Sequence, residues 1–109
     1  DKEPPPLLRV GPIELDRSTH QVAIDGKRVD LTPTEFDILV VLMGNPGRVY
    51  SRPEILEAVQ GVAFEAYERT VDAHIKNLRQ KIEPDPGSPQ YVLTVRGAGY
   101  RLNPQIEHG

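Results

Sequence analysis

The chain has 109 residues, no cysteine and a formal net charge of −3. That length fits one small domain with a modest core, and the missing cysteines exclude a disulfide scaffold and suit a cytoplasmic protein. No apolar run is long enough to span a bilayer, and no secretory leader is visible.

Residues 1–6 (Asp-Lys-Glu-Pro-Pro-Pro) are polar and proline-rich. They read as the end of a semi-rigid linker. Together with the Asp1 start they predict a fragment with another domain upstream. From Leu7 to Leu31 apolar residues alternate with polar ones: Leu8 and Val10, Ile13 and Leu15, Val22 and Ile24, Val29 and Leu31. This predicts four short antiparallel strands with one face buried against helices. Asp16-Arg17-Ser18 supplies one turn, and Asp25-Gly26 is a strong two-residue hairpin signal.

Thr32-Pro33-Thr34-Glu35 then opens a helix, with Thr32 as N-cap and Glu35 closing a capping box. Phe36, Leu39, Val40, Leu42 and Met43 form its apolar face, and Gly44-Asn45-Pro46-Gly47 stops it. After a short extended piece, Arg48-Val49-Tyr50, a second capping box (Ser51-Arg52-Pro53-Glu54) opens a helix that buries Ile55, Leu56 and Val59. Residues 60–68 read as a loop holding Gln60, Phe64, Glu65, Tyr67 and Glu68. That is longer than the connection of a simple helix-turn-helix, and long loops often carry a function of their own.

The stretch 69–83 is the most informative. Val71, Ile75, Leu78 and Ile82 fall on one helical face and need burial. The opposite face carries Arg69, Ala73, Lys76, Asn77 and Gln80. Arg and Lys hold phosphates or guanine, Asn and Gln grip adenine through two hydrogen bonds, and Ala meets a thymine methyl. Such a front suits the DNA major groove, although a solvated surface helix shows similar charge spacing. What favours DNA comes next. Residues 91–95 and 100–102 read as strands joined by Arg96-Gly97-Ala98-Gly99, a hairpin that presents Thr94, Arg96 and Arg101 near one end. A helix followed by a basic hairpin is the layout of a winged helix. Charge agrees: residues 69–101 carry six basic against three acidic side chains, and residues 1–68 carry seven against twelve. The acidic remainder weakens non-specific DNA binding and leaves more to specific contacts. Residues 103–109 read as a polar, fraying tail.

These pieces together resemble the C-terminal effector domain of OmpR/PhoB-family response regulators. The matching residues are Leu31-Thr32-Pro33-Thr34-Glu35-Phe36, Arg48-Val49-Tyr50-Ser51-Arg52, Arg69-Thr70-Val71-Asp72-Ala73-His74-Ile75, Leu78-Arg79-Gln80-Lys81 and Thr94-Val95-Arg96-Gly97-Ala98-Gly99-Tyr100-Arg101. The resemblance implies an α+β winged helix-turn-helix over residues 7–103, with an N-terminal four-stranded antiparallel sheet, three helices and a C-terminal hairpin wing. It implies transcription regulation within a two-component phosphorelay, a receiver domain upstream, and head-to-tail pairing of two protomers on direct-repeat half-sites. By position, Arg69, Thr70, His74 and Arg79 look like phosphate contacts. Ala73, Lys76 and Asn77 look like base readers, and Thr94 and Arg96 like wing contacts. The loop with Gln60, Phe64, Glu65, Tyr67 and Glu68 looks like a contact for RNA polymerase. Gln60 departs from the Trp of many relatives. Asn77 stands where some have Arg, which shifts base preference from guanine toward adenine.

Other chemistries find no support in the residues. His20, His74 and His108 lack metal-ligand spacing, and no Ser sits in a nucleophile setting. Gly97 and Gly99 start no dinucleotide fingerprint, because Leu102 stands at its third glycine and a strand follows in place of a helix. The expectation is a non-enzyme without cofactor or metal. Tyr100 is expected to anchor the hairpin in the core. Asp72, on the flank of the DNA-facing helix, is expected to pair with an arginine such as Arg96 or Arg79. A protein-binding winged helix is the competing function, favoured by the acidic total and the aromatic-acidic loop.

Overall fold

A computed structural model describes residues 6–60 and 68–106, with side chains at all of these except 60 and 68–70. Strands β1 (Leu7–Val10), β2 (Ile13–Asp16), β3 (Gln21–Ile24) and β4 (Lys27–Val29) form a four-stranded antiparallel meander in chain order. Ile13, Leu15 and Val22 point inward and are fully or almost fully buried. The β3–β4 turn uses Asp25 (φ 52°) and Gly26 (φ 83°), both left-handed, as an Asp-Gly hairpin requires.

Helix α1 (Pro33–Gly44) starts as expected. Glu35 N–H donates to Thr32 Oγ1 (3.2 Å), and Thr32 N–H donates to Glu35 Oε1 (3.0 Å). Ser51 and Glu54 make the same reciprocal pair at the start of α2 (Arg52–Gln60). Helix α3 (Glu68–Ile82) follows the 61–67 stretch, which lies outside the described residues. Both flanking helices reach further than the sequence suggests, since Gln60 ends α2 and Glu68 opens α3. Buried Phe36, Ile38, Leu39, Leu42, Ile55, Val71, Ile75, Leu78 and Ile82 make the helical half of the core.

Strands β5 (Val92–Val95) and β6 (Gly99–Leu102) form the C-terminal hairpin. The extended segment after α1 joins it as a third edge: Tyr50 and Tyr100 exchange both backbone hydrogen bonds, at 2.8 and 2.9 Å. This close approach explains Gly99, where a Cβ would land on the Tyr50 carbonyl.

Residues 103–106 depart from the fraying expected of the tail, and 107–109 lie outside the described residues. Asn103 N–H donates to the Tyr91 carbonyl, Asn103 Nδ2 donates to the Gln90 carbonyl, and Ile106 is only 9% exposed. One apolar residue in a polar tail gives no periodic signal, so the sequence does not mark it.

Candidate nucleic-acid interface

Helix α3 divides into three sides. Val71, Ile75, Leu78 and Ile82 are buried, and Ala73, Lys76, Asn77 and Gln80 are exposed. The amphipathic pattern dictates this split, because the apolar residues recur every three to four positions. The expected base-reading side chains thus share one solvent-facing stripe. Nothing among the described hydrogen bonds holds the side chains of Lys76, Asn77 or Gln80. His74 lies at the margin of the stripe and is half-buried. The side chains of Arg69 and Thr70 fall outside the described residues, as do Phe64, Glu65 and Tyr67 and the side chains of Gln60 and Glu68.

The third side faces the hairpin. Asp72 and Arg79 are seven residues apart, so they lie in line two turns from one another. Arg79 donates from Nε (3.1 Å) and Nη2 (2.8 Å) to the Val92 carbonyl, and from Nη2 to Thr94 Oγ1 (2.7 Å). Its guanidinium carbon also lies 5.5 Å from the Tyr100 ring centre. Arg79 therefore grips the wing with the edge expected to meet phosphate, and its remaining donors set what it can offer DNA. Thr94 and Arg96 are exposed along the hairpin, and Arg101 is half-buried behind them. Arg79, Thr94, Arg96 and Arg101 share one open basic groove with Pro89 and Leu93.

Asp72 is structural, but its partner is neither Arg96 nor Arg79. Arg52, at the start of α2, donates from Nε to Asp72 Oδ1 at 2.7 Å, and the Tyr100 hydroxyl donates to the same oxygen at 2.5 Å. Arg79 is held by Val92 and Thr94, which leaves the carboxylate to Arg52. Burial alone would raise the Asp72 carboxyl, but the Tyr100 hydroxyl and Arg52 outweigh it and hold it below the ordinary carboxylate value. Burial pushes the Tyr100 hydroxyl up, and the neighbouring Asp72 pushes it further. Tyr100 is 5% exposed, so its ring anchors the hairpin as expected.

Two buried carboxylates support the interface from behind. Glu35 accepts from Lys81 Nζ at 2.7 Å, tying the start of α1 to the end of α3. Glu83 accepts the backbone N–H groups of Gln90, Tyr91 and Val92 at 2.7–3.0 Å and fixes the strand that enters the wing. The roles of Arg52, Lys81 and Glu83 are not marked in sequence: Asp72 and Glu35 lie 20 and 46 residues from their cations, and the partners of Glu83, 7 to 9 residues on, are backbone groups with no sequence signature.

Residues 26–102 match the family model described as "Transcriptional regulatory protein, C terminal". This chain belongs to that family. Its four-stranded sheet, three helices and C-terminal hairpin are the winged helix of OmpR/PhoB DNA-binding domains. DNA-binding response regulator MtrA of Mycolicibacterium smegmatis is 44% identical over 104 residues, covering 95% of this chain and 46% of that protein. Sensory transduction protein RegX3 of the same organism is 42% identical over 96 residues, covering 88% of this chain and 42% of that protein. The chain thus spans about half the length of the curated relatives it matches. Among solved structures, response regulator DrrB of Thermotoga maritima, an OmpR/PhoB homolog, superposes with a TM-score of 0.82 at 36% identity, covering 90% of this chain and 44% of that one. The RstA DNA-binding domain of Klebsiella pneumoniae, solved in complex with the RstA box, gives 0.81 at 30% identity, covering 91% and 98%.

Proposed function

We propose that this chain binds duplex DNA sequence-specifically to regulate transcription, as the cytoplasmic output domain of a two-component response regulator. Helix α3 enters the major groove with Ala73, Lys76, Asn77 and Gln80 toward the bases. Arg69, Thr70, His74 and Arg79 flank the phosphates, and Thr94 and Arg96 bring the wing to the backbone or minor groove. One observation carries this reading: the polar stripe of α3 is exposed and, among the described residues, the side chains of Lys76, Asn77 and Gln80 have no hydrogen-bond partner, while the basic hairpin is bonded to the adjacent side of the same helix. A solvated helix needs no such rigid basic neighbour. The RstA DNA-binding domain, solved in complex with the RstA box, supports DNA as the partner.

The fuller proposal adds an upstream receiver domain, a second protomer placed head-to-tail on direct repeats, and RNA polymerase at the loop with Gln60, Phe64, Glu65, Tyr67 and Glu68. Selection of sites from random duplex DNA at moderate salt tests it. The expected product is a short motif repeated head-to-tail about one helical turn apart. A single half-site keeps base reading and assigns pairing to the missing domain. No enrichment, with binding that fades steeply as salt rises, leaves only charge attraction and favours a protein-binding winged helix.

A further inference from the structure

Asp72 is placed where electrostatics alone would not put it. It sits on the helix that carries the DNA-facing stripe, and its carboxylate opposes phosphate. Its side chain is 42% exposed, so the charge is not hidden from the surface. Yet one carboxylate oxygen gathers Arg52 from α2 and Tyr100 from the wing. Two turns along the same side of α3, Arg79 ties down Val92 and Thr94 of the wing. The guanidinium carbons of Arg52 and Arg79 lie 5.7 and 5.5 Å from the centre of the Tyr100 ring. Helix α3 is therefore fastened to the wing at two levels, and Asp72 also reaches α2.

We propose that Asp72 is a positioning residue for DNA recognition: through Tyr100 and Arg52 it holds the wing and α3 in the single relative orientation that fits one site. This rests on the DNA reading above. Both elements must meet the duplex in register, and two binding elements joined rigidly spend less free energy on ordering than two that move independently. The repulsion between Asp72 and phosphate acts on every sequence alike. The orientation it secures matters only where α3 and the wing both find their targets. Asp72 thus raises preference for the right site while lowering affinity for all others.

Two substitutions separate this from a merely structural role. Tyr100→Phe removes the hydroxyl, keeps the buried ring and leaves every charge in place. Its expected effect is about a tenfold loss on the selected site, the scale of one charge-assisted hydrogen bond. Affinity for random duplex and the salt slope stay as in the unaltered chain. Asp72→Asn removes a negative charge. Affinity for random duplex should rise, while the ratio of selected to random binding falls. If Asp72→Asn raises both affinities equally, or Tyr100→Phe lowers both equally or neither, the proposal is overturned. Residual dipolar couplings on the DNA-free chain give a second readout. One alignment tensor should fit α3 and the wing in the unaltered chain and fail to fit both in Tyr100→Phe. A single tensor in that variant also overturns the proposal. Absence of any preferred duplex for the unaltered chain would instead sink the DNA reading, and the couplings tell that failure apart from failure of the clamp.

Discussion

At the scale of single residues, Arg96 and Asn77 differ in what they offer a duplex. Arg96 is an exposed cation near the tip of the hairpin. Arg96→Ala is expected to weaken binding on all sequences and to lower the salt slope by about one. Asn77 carries an amide that can bond the two adjacent groups of adenine, so Asn77→Ala should alter preference at one base position, costing about 1–3 kcal/mol there. Titration of a single-substitution panel of duplexes at two salt concentrations checks both; a uniform loss for Asn77→Ala would remove it from the base readers. Glu83 is a different kind of residue, 7% exposed and committed to three backbone N–H groups. Glu83→Ala strands those donors, two of them on the buried residues Tyr91 and Val92. It should lower stability by about 2–4 kcal/mol in urea denaturation.

At the scale of elements, the sequence is most legible where the determining interactions are local. The Thr32–Glu35 and Ser51–Glu54 boxes join residues three apart, the Asp25-Gly26 turn takes two residues, and the apolar side of α3 repeats over about three turns from Val71 to Ile82. The exposed stripe of α3 follows from that same repeat. What ties the elements together is not legible, because Arg52–Asp72, Lys81–Glu35 and Arg79–Val92 join residues far apart in the chain. These long-range ties should show in acid. Burial alone would raise the Glu35 carboxyl, but Lys81 and the Thr32 N–H outweigh it and hold it below its ordinary 4.5; Asp72 is likewise held below 3.8. A carboxyl depressed in the folded state binds its proton more readily in the unfolded chain. Its stabilisation is therefore full above the ordinary value and drains away as pH falls through the folded-state value. Urea midpoints measured downward from about pH 6 should hold steady and then fall once pH passes below the ordinary carboxylate values. Asp72→Asn should flatten part of that fall, and an unchanged acid limb in the variant would show that the Arg52–Asp72–Tyr100 group adds nothing to it.

At the scale of the whole molecule, the question is what joins the N-terminal sheet to the helices and wing. Part of the join is the segment after β6. Pro104 lies against Gly47 in the α1–α2 connection, at 3.5 Å from where a Cβ would sit, and Ile106 covers Gly11 in the β1–β2 turn. Gly11 has φ +57°, and a Cβ there would come within 2.8 Å of the Ile106 side chain. The last described residues thus run from the wing, past the helical connection, to the first hairpin of the sheet. If this segment were a loose tail, Ile106→Ala would be silent, since exposed substitutions fall within about 0.5 kcal/mol. Its burial predicts otherwise: Ile106→Ala should cost about 2 kcal/mol, the low end for a buried Ile at the edge of a core. Truncation after residue 103 should cost at least as much. Gly11→Ala should destabilise as well, and Ile106→Ala should relieve little of it: the atom nearest the new Cβ is Ile106 Cβ at 2.8 Å, which alanine keeps, as it keeps the carbonyl oxygen at 3.1 Å. DNA affinity should stay unchanged, since the segment lies away from the α3 stripe and from Arg96. A cut chain that keeps full stability would place the end of the domain at residue 103, and a cut chain that loses both stability and site preference would show that the sheet helps hold α3 in place.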